Sequence, residues 1–151
     1  MADDDRTTLF KEHRTAQDKY TYFLLAAVGA AVAFALTQTR DAALVRSHAL
    51  LGGALALWAL SFILGCRQLQ YVQSNLYANG ELLAVKSSLH PKVPAHPDYI
   101  RAASEGIRDA MTTNADRAAW SGRWQFRSFV AGALLYIAWH ILQMYARSPG
   151  G

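Results

Sequence analysis

Three long stretches of the chain contain no Asp, Glu, Lys or Arg: Tyr20 to Thr39, Ser47 to Cys66 and Ser128 to Ala146, of 20, 20 and 19 residues. A helix rises about 1.5 Å per residue, so each stretch reaches across the roughly 30 Å hydrocarbon layer of a bilayer. Aromatic residues cluster at their ends. Tyr20, Tyr22 and Phe23 open the first, Trp120, Trp124 and Phe126 precede the third, and Tyr145 closes it. Amphipathic rings favour the depth of the lipid headgroups. The pattern predicts an all-α, polytopic membrane protein with three transmembrane helices.

The segments between these stretches also read as helix. Residues 1–19 mix charge with Leu9, Phe10 and Ala16 and contain no Pro or Gly, which predicts an N-terminal helix ahead of the first span. The connection Arg40 to Arg46 is short enough to force residues 20–66 into a transmembrane helical hairpin. After Cys66, polar residues alternate with Leu69, Val72, Leu76 and Leu83 at three-four spacing, the sign of a helix leaving the membrane. If unbroken from Ser47 to Ser88, that helix extends about 60 Å, with Gly80 its weakest point. Pro91, Pro94 and Pro97 fall within residues 89–98 and force a turn. Asp98 then suits the N-cap of a helix from Tyr99, which can run past Thr112-Thr113-Asn114 and a bend at Gly122 into the third span. The expected organisation is a helical hairpin over residues 67–127, a third span over 128–147, and a tail at 148–151.

Charge then orients the chain. Arg6, Lys11, Arg14 and Lys19 precede the first span, and Arg67, Lys86, Lys92, Arg101, Arg108, Arg117, Arg123 and Arg127 lie between the second and third. Only Arg40, Arg46 and Arg147 fall on the other side. The positive-inside rule counts Lys and Arg and nearly ignores acids, so Asp3, Asp4 and Asp5 do not offset the bias. The N-terminus and the hairpin are expected in the cytoplasm, and the C-terminus outside. Ala33-Phe34-Ala35 resembles a signal-peptide cleavage site, but the acidic segment before it and the length of the apolar run favour a span. The net charge of +4 follows from this topology, and nucleic acid is not an expected partner because acids intersperse the basic residues of the hairpin.

Candidate chemistry is sparse. Cys66 is the only cysteine, which excludes an intrachain disulfide and a cysteine-based zinc site. His90, His96 and Asp98 lie among prolines without a metal-ligand spacing. No nucleophile elbow, phosphate loop or dinucleotide fingerprint occurs, so neither a cofactor nor a catalytic residue is expected. Arg6 and His13 have the spacing of the HEPN ribonuclease motif, but with this many Arg and His residues about one such pair is expected by chance.

Other residues bear on assembly. Ala27, Ala31 and Ala35, Gly29 and Ala33, Ala49 and Gly53, and Gly52 and Ala56 recur at four-residue spacing, which lets helix backbones approach closely. Gly29, Ala33, Gly52, Gly53 and Ala56 are the candidates for packing between chains. His140 lies inside the third span and is its candidate polar site; an ionisable residue at that depth suggests function. Gln68, Gln70, Gln73 and Asn75 are candidates for lining an opening at the membrane exit, and Arg117, Arg123 and Arg127 for contacts with lipid headgroups.

A span, a short loop, a second span and a helical cytoplasmic extension, here Tyr20 to Thr39, Ser47 to Cys66 and Arg67 to Ser88, resemble the small membrane effectors of bacterial anti-phage systems. The third span departs from their two-span pattern. The resemblance implies an inner-membrane protein that homo-oligomerises and acts as a pore or membrane-perturbing effector in antiviral defence. The alternative expectation is a non-transporting anchor that docks a soluble cytoplasmic protein through residues 67–127.

Overall fold

The computed structural model describes residues 2–38 and 48–147. The first connection, Arg40 to Arg46, and the tail at 148–151 lie outside the described residues. The described chain is all-helical: α1 Ala2–Gln38, α2 His48–Lys86 and α3 Pro97–Arg147. Each contains a segment long and apolar enough to cross a membrane. Among the described residues there is no strand.

The ends of α2 and α3 follow from local chemistry. Ser88 takes φ 58°, the amide of Leu89 donates to the carbonyl of Ala84 at 3.0 Å, and that of Ser88 donates to Val85 at 3.1 Å. This is a Schellman cap, with serine where glycine is the usual residue. The prolines then carry the chain to α3. The sequence pointed to Asp98 as the N-cap, but α3 starts at Pro97 and its first helical bond runs from the amide of Ile100 to the carbonyl of His96 at 3.1 Å. His96 is therefore the cap and Pro97 the first helical residue, where its missing N–H costs nothing. Asp98 sits in the first turn beside Arg101, 3.2 Å away. Neither Gly80 nor Gly122 interrupts its helix.

The chain divides into two compact units, Met1–Gly65 with Trp124–Gly151, and Cys66–Arg123. In the first, Val28, Ala35, Leu51, Trp58 and Trp139 form the buried core, with Phe129, Ala133 and Tyr136 packed against it. Tyr136 lies 5.7 Å from the Trp58 ring and 6.3 Å from Phe34, joining α2 and α1 to α3. Contacts step back along α3 as they step forward along α2, from Gly53 with Leu135, through Trp58 with Gly132, to Ser61 with Gln125, so the two run antiparallel. The inward residues of α3 here are Gln125, Ser128, Gly132, Leu135 and Trp139. Their alternating three-four spacing is that of helices wrapped left-handed around each other.

The second unit is a helical hairpin with the same inward spacing on α3: Ser104, Ile107, Met111, Asn114, Ala118 and Ser121. Leu82 and Val85 are buried on α2. Amides fasten the pair. Asn75 Nδ2 donates to the carbonyl of Met111 at 3.1 Å, and Asn114 Nδ2 donates to Ser74 Oγ at 3.1 Å.

Candidate functional site

In the first unit, the small residues of α1 and α2 divide into two groups. Ala35 and Ala54 are fully buried, and a Cβ on Gly53 would meet Leu135 at 3.3 Å. These residues set the approach of helices within one chain. Gly29, Ala33, Gly52 and Ala56 instead face outward. A Cβ on Gly29 or Gly52 would meet nothing within 4 Å. The packing candidates thus separate into Gly53, engaged within the chain, and four exposed residues, Gly29, Ala33, Gly52 and Ala56.

The tightest approaches lie elsewhere, at Gly65 and Gly132. A Cβ on Gly65 would come within 2.5 Å of Gln125 Nε2 and 2.8 Å of Leu25; one on Gly132 would come within 2.7 Å of the Trp58 ring and 3.1 Å of the Ala54 carbonyl. The Trp58 indole N–H donates to the carbonyl of Phe129 at 3.2 Å, and the Ser61 hydroxyl donates to that of Gln125 at 2.8 Å. Gln125 itself is 1% exposed, and its Nε2 has no hydrogen-bond partner among the described residues. Sequence reading missed this seam. The signal was present as Ser61-xxx-Gly65 on α2 and Ser128-xxx-Gly132 on α3.

His140 is exposed on α3 and its ring stacks at 12° on Tyr136, 6.4 Å away. It lines a cleft of about 210 Å³ with Phe34, Gln38, Tyr136, Ile137 and Ile141. Aromatic and aliphatic groups dominate this site.

In the second unit, Gln68, Gln70, Gln73 and Asn75 do not share a face. Gln68 turns toward Gly122, whose Cβ position lies 2.8 Å from its Oε1, and Asn75 bonds to Met111. Gln70 and Gln73 are exposed. At 100° per residue, positions 68 and 75 point one way and 70 and 73 the other.

The arginines also separate. Arg127, in the first unit, lies over the Trp124 ring at 5.3 Å. Arg117 and Arg123, in the second, line a cleft of about 540 Å³ together with Arg67, Tyr71, Asp116 and Trp120. Arg67 was not among the expected headgroup contacts, although it is the first charge after the second apolar run.

At the far end of the hairpin, His90 Nε2 and Glu81 Oε2 are 2.8 Å apart and join the proline turn to α2. A hydrogen bond from the Tyr77 hydroxyl, followed by the contact with His90, holds the Glu81 carboxyl below its ordinary pKa; Glu81 in turn pushes the Tyr77 phenol up. Among the described residues, no group of three or more His, Cys, Asp or Glu is placed to hold a metal ion.

These features define a class, an all-α chain with three helices apolar enough to cross a membrane. Comparison with known proteins finds no match: no family model, no curated protein and no solved structure.

Proposed function

We propose that the protein is a multi-pass membrane protein of the inner membrane that homo-oligomerises through its first two spans, with the N-terminus and the hairpin in the cytoplasm. The observation that carries this reading is the open space around Gly29 and Gly52 on the outward faces of α1 and α2. A small residue facing lipid forgoes dispersion contacts that a larger one would make, and recovers them when another helix backbone packs against it. Within one chain, 22%, 33% and 11% of the residues in the most apolar windows of α1, α2 and α3 are buried. The mass of the full-length protein in detergent and in nanodiscs tests the proposal. The wild type is expected as a defined oligomer, and Gly29→Leu/Gly52→Leu as a monomer of unchanged helix content. A monomeric wild type, or an oligomer indifferent to both substitutions, contradicts it.

A pore or membrane-perturbing effector, acting in defence as the resembling small proteins do, is the activity that such an assembly would carry. Trp58, Tyr136 and Trp139 fill the middle of the first unit, so a conducting path would run between chains. Leakage of ions from liposomes that is lost with the oligomer would establish it.

A second reading is a non-transporting anchor. Leu76 and Leu83 are 52% and 61% exposed on one side of α2 in the hairpin, apolar positions that favour docking a soluble cytoplasmic protein. In that case a partner is recovered only when the hairpin is intact and liposomes stay tight.

A further inference from the structure

We infer that the cleft formed by Arg67, Tyr71, Asp116, Arg117, Trp120 and Arg123 is a binding site for a phosphate ester, supplied as the headgroup of an anionic phospholipid. The cleft has a volume of about 540 Å³, and its described lining residues all belong to the second unit. Among the described lining residues, three guanidinium groups accompany one carboxylate, an excess of two positive charges. Among the described residues, none of Arg67, Arg117 and Arg123 forms an ion pair, with Asp116 or with any other acid. Guanidinium groups present donors in a planar fork that matches phosphate oxygens two at a time, and an exposed cluster without carboxylate partners keeps those donors available.

Depth selects the lipid as the source. This step rests on the membrane reading of the three apolar runs and is independent of the oligomer. Arg67 directly follows the second run, and Arg123 precedes the third by five residues, about 7.5 Å of helix. The headgroup layer occupies roughly 5–8 Å outside the hydrocarbon on each side. Tyr71 and Trp120 bring to the same cleft the amphipathic rings that favour this layer. Arg117 starts about 16 Å from the third run, and a long side chain of this kind can lean back toward the interface. Elsewhere in the hairpin, Asp98 meets Arg101 at 3.2 Å and Glu81 meets His90 at 2.8 Å.

The test uses the full-length protein in a neutral detergent, which keeps it separate from any failure of the membrane topology. Dioctanoyl phosphatidylglycerol, dioctanoyl phosphatidylcholine and inorganic phosphate are titrated by calorimetry and by native mass spectrometry. The glycerol lipid is expected to bind saturably with one-to-one stoichiometry per chain and at least tenfold more tightly than the choline lipid. Loss of one guanidinium–phosphate contact is expected to cost at least about fivefold, so Arg67→Gln/Arg117→Gln should weaken binding at least about 25-fold. Arg101→Gln/Arg108→Gln, with the same net charge, should leave it within twofold. If the double variant does not fold, Arg117→Gln alone should show a loss of at least about fivefold. Equal binding of the two lipids, or equal weakening in both double variants, overturns the site. Inorganic phosphate that binds and displaces the glycerol lipid would assign the site to a soluble phosphate and overturn the lipid source.

Discussion

Replacing Gly132 by alanine is the sharpest probe of how α2 and α3 pack in the first unit. The added methyl would lie 2.7 Å from Trp58 Cδ1 and Nε1, well inside van der Waals contact, and 3.1 Å from the carbonyl oxygen of Ala54. The indole cannot simply turn away. It is 4% exposed, packs on Tyr136 and donates its N–H to Phe129. Overpacking of this kind costs about 1–3 kcal/mol, and a buried N–H that loses its acceptor costs a further 1–3 kcal/mol or so. Helix propensity returns about 1 kcal/mol in favour of alanine, leaving a net loss of roughly 1–5 kcal/mol. Gly106→Ala is the control, because its methyl meets nothing within 4 Å, the position lies outside the proposed packing surface, and only the propensity gain remains. Equilibrium unfolding of both variants in mixed detergent micelles, followed by tryptophan fluorescence and circular dichroism, gives the comparison. A Gly132→Ala variant within about 0.5 kcal/mol of the wild type would refute the clash, since a surface change produces as much.

Two predictions concern the hairpin. Ser88 occupies the left-handed region at φ 58°, where an L-residue is strained by roughly 1–2 kcal/mol, so Ser88→Gly should stabilise the protein by about 1 kcal/mol in urea titration and Ser88→Val should destabilise it. The Glu81 carboxyl is held below its ordinary value, so its favourable contribution is present above that value and is lost as pH falls through the depressed one. The melting temperature of the wild type should therefore fall more steeply between pH 5 and pH 3 than that of Glu81→Gln; parallel profiles would exclude the contact with Tyr77 and His90 as the cause.

The long elements were legible because charge marks their ends. Arg67 and Arg127 bound the apolar runs, and the absence of Pro between 47 and 90 and between 98 and 148 lets α2 and α3 continue well past them. The cap of α3 was misplaced by two residues, although Pro97 at the first helical position was the readable signal. The inward faces of the apolar runs were not legible. Lipid and protein interior are both apolar, so hydrophobic periodicity fades inside a span and small and polar residues carry the pattern instead. That is why Gly29 and Gly52 looked equivalent to Gly53, and why Ser61, Gly65, Gln125, Ser128 and Gly132 were overlooked. Outside the apolar runs, the glutamines of α2 were grouped by composition, whereas helical geometry divides them between opposite faces. Arg67 joined the basic cleft only through folding, because half a hundred residues separate it from Arg117 and Arg123.

The claim beneath all of this is that three apolar helices cross a bilayer and leave the chain's two ends on opposite sides. Paired fusions measure it directly, with green fluorescent protein and alkaline phosphatase each placed at the C-terminus and, separately, within the turn at Lys92. The account predicts phosphatase activity without fluorescence at the C-terminus and fluorescence without phosphatase activity at Lys92. The same reporter active at both positions would contradict it.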